Sequence, residues 1–350
     1  MRVLVTGGAG FIGSHTCLSL LEKGYEVIII DSFVNGHKKA IERVTEIIKR
    51  NNKNININID IVNLDIRNEN LLDNLFFNYQ KLGKPIEAVI HFAGLKSVNN
   101  SVLLPLHYWD INVNGSIKLL SVMSRYECRT MVFSSSATIY GLSDDNPLKE
   151  NSEIKPTNPY GSTKATVEKL LNDTFMSQPR KWRIINLRYF NPIGAHSSGL
   201  IGEAPLQTPS NVFPYITQVA AGVLEKLTIF GKNWPTRDGT GVRDYIHIMD
   251  LAEGHINALE YLLENQNQII NINLGTGKGT SVLELVDVFQ RVNNINIPIE
   301  FADRRIGDCS TVIADNSLAL SCLDWSPKRS LEEMCSDGWK WQSLNPKGYK

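Results

Sequence analysis

Residues 3–13 read VLVTGGAGFIG, and this stretch decides the fold. Val3 to Thr6 is a β-branched, apolar run of the kind that forms a buried strand. It stops at Gly7, and Gly10 and Gly13 follow at three-residue intervals. Glycine at a strand end permits a tight turn and a close approach of the backbone to a ligand. A helix expected over Ser14–Lys23 would then aim its unpaired N–H groups and partial positive charge at a pyrophosphate. YEVIIID (25–31) follows, apolar throughout as a parallel strand covered on both faces is. Strand, glycine turn, helix and strand in that order make a dinucleotide-binding βαβ unit.

Asp31 closes the second strand. A carboxylate there accepts hydrogen bonds from both hydroxyls of an adenosine ribose and repels a 2′-phosphate, which favours NAD over NADP. The same residue type also serves as a turn or cap.

The pattern continues outward. A third strand is expected near the end of ININIDIVNLDI (55–66), a fourth in IEAVIHFAG (86–94), a fifth in TMVFSSSA (130–137) and a sixth in WRIINLRYFN (182–191). Helical patterns lie between them, notably at 106–126 and 160–177. Such alternation predicts an α/β protein with a Rossmann-like, doubly wound parallel sheet. Beyond residue 190 the text is richer in Gly and Pro, with one helix near 212–225. A strand and helix return at 245–262, a strand at 269–275, and a helix at 281–291. The expected division is a NAD-binding domain over 1–190, with a return at about 245–272. A smaller mixed α/β lobe would take 191–350, mainly 191–244 and 273–350. The asparagine-rich NNKNININ reads as a lengthened surface loop.

Composition narrows the class. The 36 basic residues balance the 36 acidic ones, which argues against nucleic acid or a membrane surface as the main partner. No apolar run approaches the ~18 residues that span a bilayer. Five cysteines without a CxxC pair suit free thiols in a reducing, cytoplasmic setting and no structural metal.

NPYGSTK (158–164) puts Tyr160 four residues before Lys164. Chance supplies about one such pair in a chain of this composition, so the spacing alone says little. Pro159 suits a first helical turn and would set both side chains on one face. A nearby ammonium favours the phenolate; moving a phenol from about 10 to about 7 needs roughly 4 kcal/mol. Such a phenolate can take a hydroxyl proton as hydride leaves the same carbon. FSSSATIY (133–140) ends the fifth strand, where open sheets bind ligands, although serines there are also ordinary turn chemistry.

Together these motifs resemble the extended short-chain dehydrogenase/reductase family. HFAGLKSV, FSSSATIYG, LRYFNPIGAHSSG, DGTGVRDYIHIMDLA and WKWQSLNPKGY are similar to its nucleotide-sugar 4-epimerases, and the likeness runs from residue 1 to about 349. The resemblance implies tightly bound NAD and reversible inversion at C4 of UDP-glucose and UDP-galactose through a 4-keto sugar, in a homodimer joined through helices near 106–126 and 160–177. It places Gly7, Gly10, Phe11, Ile12 and Gly13 at the cofactor diphosphate. Asp31, Asn35 and Gly36 would hold the adenosine ribose, and Asp65 and Ile66 the adenine. Phe92, Ala93, Gly94 and Lys96 would line the cofactor. Tyr160 would be the base, Lys164 its tuner and nicotinamide-ribose partner, and Ser136 the holder of the sugar 4-hydroxyl. Phe190 and Asn191 would meet the sugar, Asn211 the diphosphate, and Leu227, Thr228, Ile229 and Phe230 the uracil. Arg243 and Arg305 would clamp phosphate oxygens, and Asp308 the uridine ribose.

Two positions depart from the family pattern. Some relatives carry asparagine where this chain has Ile111, leaving any cofactor contact there to Asn112. Val312 stands where a bulky aromatic accompanies restriction to plain hexoses, so activity on UDP-N-acetylhexosamines is expected. A 4,6-dehydratase or a UDP-glucuronate decarboxylase of the same family is the nearest rival, but Ala137 and Thr138 follow Ser136 where dehydratases carry carboxylates. A silent NAD-binding module is the rival from another class.

Overall fold

The computed structural model describes the 350-residue chain except for residues 52–56, 144, 207, 208, 210 and 306. Its first strand, β1 (Arg2–Thr6), is buried along its length. Val3 and Val5 enter one core while Leu4 enters another. That division is what a strand clad with helices on both faces requires.

The chain runs on through α1 (Phe11–Glu22), β2 (Glu26–Asp31), α2 (Lys38–Asn51), β3 (Ile59–Asn63), α3 (Glu69–Lys81) and β4 (Ala88–His91). Next come α4 (Val98–Leu103), α5 (Pro105–Tyr108), α6 (Gly115–Arg125), β5 (Thr130–Ser136), α7 (Pro159–Ser177) and β6 (Arg183–Tyr189). The remainder holds β7 (Asn191–Ile193), α8 (Val212–Ala220), β8 (Leu227–Phe230), β9 (Val242–His247), α9 (Ile248–Glu264) and β10 (Ile269–Leu274). It ends with β11 (Gly279–Ser281), α10 (Val282–Asn293), β12 (Ile299–Ala302), β13 (Thr311–Val312), α11 (Ser317–Cys322) and α12 (Leu331–Leu344).

Seven strands form a parallel sheet in the order β10-β6-β5-β4-β1-β2-β3. The order reverses between β1 and β4, and a doubly wound sheet binds its ligand in the crevice beyond such a point. One face packs on α1, α2 and α9 through Leu18, Val44 and Leu259. The other packs on α3, α6 and α7 through Phe76, Leu119 and Val167. A second, small sheet joins β11, β9 and β13, with β7 also on β9, and β8 pairs with β12. Phe213, Phe289, Tyr245 and Met334 fill the core beside it.

Three local outcomes differ from the reading of the text. The helix expected over 106–126 is interrupted by a π-helical segment, Trp109–Asn114, between α5 and α6. The strand expected to open the return at 245 pairs in the small sheet, so α9 and β10 make the return to the large one. The mixed tail contains α12, which starts in a capping box formed by Ser330 and Glu333. The asparagine-rich loop reading falls mostly on residues 52–56, outside the described residues.

Candidate active site

At the sheet's reversal the phosphate loop is packed as tightly as backbone allows. Gly7 has φ +67°, and a Cβ there would lie 2.8 Å from Ala93 N, on the strand end across the crevice. A Cβ on Gly13 would lie 2.3 Å from the carbonyl oxygen of Gly7. Only glycine fits either place. Gly10 is the N-cap of α1 and supplies no capping side chain, so the first amides of α1 remain for a ligand. Phe11 and Ile12 form that first turn and pack against the core beneath it. A cradle that a side chain would fill, opening on free amides, fits a dinucleotide diphosphate.

Asp31 sits buried at the end of β2, where Ala9 N–H donates to its Oδ2 at 3.0 Å and Phe33 N–H to its Oδ1 at 2.8 Å. Burial holds its pKa above the usual carboxylate range despite these amides. Phe33 makes its bond from a left-handed conformation at φ 57°, a strained state for an aromatic residue. Gly36 packs against the Asp31 carboxyl, and Asn35 beside it is exposed. Ile66 is buried under Gly115, while the Asp65 carboxylate is gripped by Arg67 at 2.6 Å, and the guanidinium bridges on to Asp110.

Across the crevice, Phe92 follows β4 and meets His255 in a tilted ring contact with centroids 4.8 Å apart. Ala93 N–H donates to Thr6 Oγ1, and Gly94 abuts Asn112. Lys96 forms an ion pair with Glu203 at 2.7 Å. Asn112, on the π-helical segment, accepts from Leu95 N–H and donates to Leu95 O and to Thr163 Oγ1. Both of its N–H donors are therefore spent, and Asn112 serves the site by fixing the 94–96 turn against α7. A π-bulge at a functional site is a recurrent device of this kind.

Tyr160 and Lys164 lie on α7, whose N-cap Asn158 accepts from Gly161 N–H at 2.9 Å. Both side chains are buried. The Lys164 ammonium donates to the Ser134 carbonyl oxygen at 2.6 Å and lies 6.0 Å from the Tyr160 ring centroid. Ser136, last residue of β5, accepts from Thr138 Oγ1 at 3.0 Å, and its hydroxyl neighbours the Tyr160 phenol. Burial pushes the Tyr160 phenol up to about 12, with the neighbouring Ser136 hydroxyl opposing. Burial also draws Lys164 down to about 8, with Glu168 opposing.

Glu168 was not singled out in the text, although it lies one helical turn beyond Lys164. It is buried, accepts from Ser135 Oγ, and takes two hydrogen bonds from the fully buried Arg188 at 3.0 and 2.6 Å. Tyr189 Oη shares a hydrogen bond with Ser134 Oγ, so each of the three serines has a different partner. Its helical spacing from Lys164 was the only signal for Glu168; nothing in the text pointed to Arg188 as its partner.

The residues expected on the substrate side form a second group. Phe190 is buried in a small cluster with Ile139, Tyr140 and Leu148, and Val312 and Ala137 pack against the same cluster. Asn191 opens β7, and Asn211 is the N-cap of α8 without a side-chain bond to it. Val312 pairs with Arg243 in the β13–β9 ladder. Arg243 forms an ion pair with Asp308, which also accepts from Arg305 at 3.4 Å. The Arg305 guanidinium stands 4.8 Å from the Phe230 ring centroid. Leu227 and Ile229 point into the core, and Thr228 donates to Glu300 at 2.8 Å. An apolar ring, two guanidiniums and a carboxylate thus gather at one place.

A doubly wound sheet with a glycine phosphate loop, an Asp at the second strand end and a buried Ser, Tyr and Lys set defines an extended short-chain dehydrogenase/reductase. The family described as GDP-mannose 4,6 dehydratase matches residues 4–338. UDP-glucose 4-epimerase of Bacillus subtilis is 48% identical over 350 residues, covering 100% of this chain and 99% of its own. The crystal structure of UDP-glucose-4-epimerase from Stenotrophomonas maltophila with bound NAD and formylated UDP-arabinopyranose superposes with a TM-score of 0.92. It is 46% identical, with 99% of each chain covered. The Bifidobacterium longum UDP-glucose 4-epimerase in complex with NAD+ and UDP gives a TM-score of 0.92 at 40% identity, covering 99% of this chain and 100% of that one. The chain belongs to this extended family and, within it, to the UDP-glucose 4-epimerases.

Proposed function

We propose that the chain interconverts UDP-glucose and UDP-galactose with NAD as a resident cofactor, in the site that joins the phosphate loop to Ser136, Tyr160 and Lys164. The observation that supports this reading is Tyr160 standing near both Ser136 and the buried Lys164, in a chain whose relatives are solved with NAD bound. NAD supplies the acceptor for the C4 hydride. The chain supplies the rest. Tyr160, as phenolate, takes the proton of the sugar 4-hydroxyl while Ser136 holds that oxygen. From about 12 to neutrality is about five units, or about 7 kcal/mol, which the cationic ring and the Lys164 ammonium must provide together. Arg243 and Arg305 keep the diphosphate anchored while the 4-keto sugar turns its other face, so binding energy stays away from the reacting carbon. Ala137 and Thr138, beside Ser136, offer no carboxylate for an elimination.

Val312 leaves the sugar end less filled than an aromatic would, and N-acetylated UDP-hexoses are the further substrates assigned to it. Leu103, Leu104 and Leu106 are exposed together beside Trp109, and this face is assigned to a homodimer. Sedimentation as a monomer would refute that assignment. The five free cysteines suit a cytoplasmic setting. The test of the whole reading is to supply UDP-galactose without added NAD and separate the nucleotide sugars; appearance of UDP-glucose is the expected result.

A further inference from the structure

We infer that residues 200–204 form a strap across the cofactor diphosphate and that Tyr349 latches it, so that this chain holds its NAD by a clasp built from its own late residues. The inference rests on the NAD reading above.

β2 and β4 flank β1, which carries the phosphate loop, and stand roughly 10 Å apart at ordinary strand spacing. His37, beyond β2, uses its backbone N–H to bond Ala9 O in the phosphate loop at 2.9 Å. Its Nε2–H donates to Ala204 O at 2.7 Å. Lys96, beyond β4, reaches Glu203 at 2.7 Å. Glu203 and Ala204 are consecutive, yet one is tied to each bank of the crevice. A segment so tied must cross the mouth of the phosphate loop.

The outer side of the strap is fastened to Tyr349, Trp341 and Arg43. Tyr349 Oη accepts from Gly202 N–H at 3.0 Å and bonds Gly202 O at 3.1 Å. Trp341 Nε1–H donates to Glu203 O at 3.0 Å, and Arg43 donates to Leu200 O at 2.9 Å. The Tyr349 ring lies 4.9 Å from that of His37 and 4.6 Å from that of Trp341, with the Arg43 guanidinium 5.2 Å from its centroid. Glu203 is mostly buried, although its partner Lys96 is half exposed. A dinucleotide under this segment leaves only when the strap lifts, and the strap lifts only when Tyr349 lets go.

The test compares the parent protein with Tyr349→Ala and Glu203→Ala after repeated desalting, measuring the nucleotide released by acid denaturation. The parent should keep a stoichiometric complement. Both variants should lose it, with NAD dissociating faster by about tenfold or more in Tyr349→Ala, which loses two hydrogen bonds, and by several-fold in Glu203→Ala, whose partner Lys96 is half exposed. Added NAD should restore turnover to Tyr349→Ala. Retention equal to the parent in both variants would overturn the strap. Should Tyr349→Ala not fold, Tyr349→Phe keeps the ring and removes only the bonds to Gly202, and parent-like retention there would overturn the latch. A parent protein free of NAD would instead overturn the cofactor reading on which the strap rests.

Discussion

Lys164 Nζ donates to the carbonyl oxygen of Ser134 at 2.6 Å, tying the second turn of α7 to the end of β5. Two residues on, the Ser136 hydroxyl neighbours the Tyr160 phenol from the same strand. The ammonium and the phenol therefore both meet the end of β5, with the ammonium 6.0 Å from the phenol ring centroid. That separation is what lets a positive charge act on the tyrosine in a site with little water.

Replacing Tyr160 by Phe removes the proton acceptor while leaving the ring and the phosphate loop in place. Turnover should fall by about a thousandfold, within the range a positioned acid–base group supplies, and NAD should remain bound. Steady-state rates and released nucleotide measured on one preparation check both halves. Near-parent turnover would remove Tyr160 from the assigned role.

Val312 packs on the cluster that contains Phe190. A Val312→Tyr variant should lose UDP-N-acetylglucosamine turnover by about tenfold or more while keeping most of its UDP-galactose turnover, as a filled pocket rejects the bulkier sugar. Parallel assays on the two sugars give the ratio. An unchanged ratio would detach Val312 from sugar choice.

Arg188 is fully buried, and Glu168 is its carboxylate partner. Arg188→Leu leaves that carboxylate buried and unpaired, so the fold should lose roughly 3–5 kcal/mol, while Glu168→Leu with Arg188→Met should recover most of it. Denaturant unfolding of the single and double variants measures the difference. Because Glu168 also holds Ser135, the single variant should lose activity along with stability.

His15, His91 and His255 are buried and drawn down to about 3, about 3 and about 4. A base depressed in the folded state is bound by more protons when unfolded, so its stabilisation is complete above about 6.5 and is lost as pH falls toward the folded values. Burial raises Asp31 and Asp244, which opposes this trend, while His196 is also drawn down and adds to it. The melting temperature should therefore fall steadily from pH 7 to pH 4.5. A flat profile in calorimetry over that range would contradict the assignment of neutral buried rings.

The strand ends and the phosphate loop were readable in the text because each has a local cause. Glycine at 7 and 13 answers to backbone contact, and the unbroken apolar runs at β1 and β2 answer to burial on both faces. The Tyr160–Lys164 pair was readable as one helical face. What the text did not disclose depends on partners far apart in sequence. Arg188 finds Glu168 only once β6 lies beside β5, and Glu203 finds Lys96 only once the late loop crosses the sheet. The strand at 242–247 looked like a return to the large sheet because its pattern is the same in either sheet; pairing, which is non-local, decides between them.

The central claim is that hydrogen leaves C4 and comes back to it without passing through solvent. Incubating the protein with UDP-glucose deuterated at C4, in ordinary water and without added NAD, and reading the product by NMR tests it most directly. UDP-galactose that keeps the deuterium at C4 is the predicted result. Product carrying solvent hydrogen at C4 would contradict hydride transfer within the site and the role given to Tyr160.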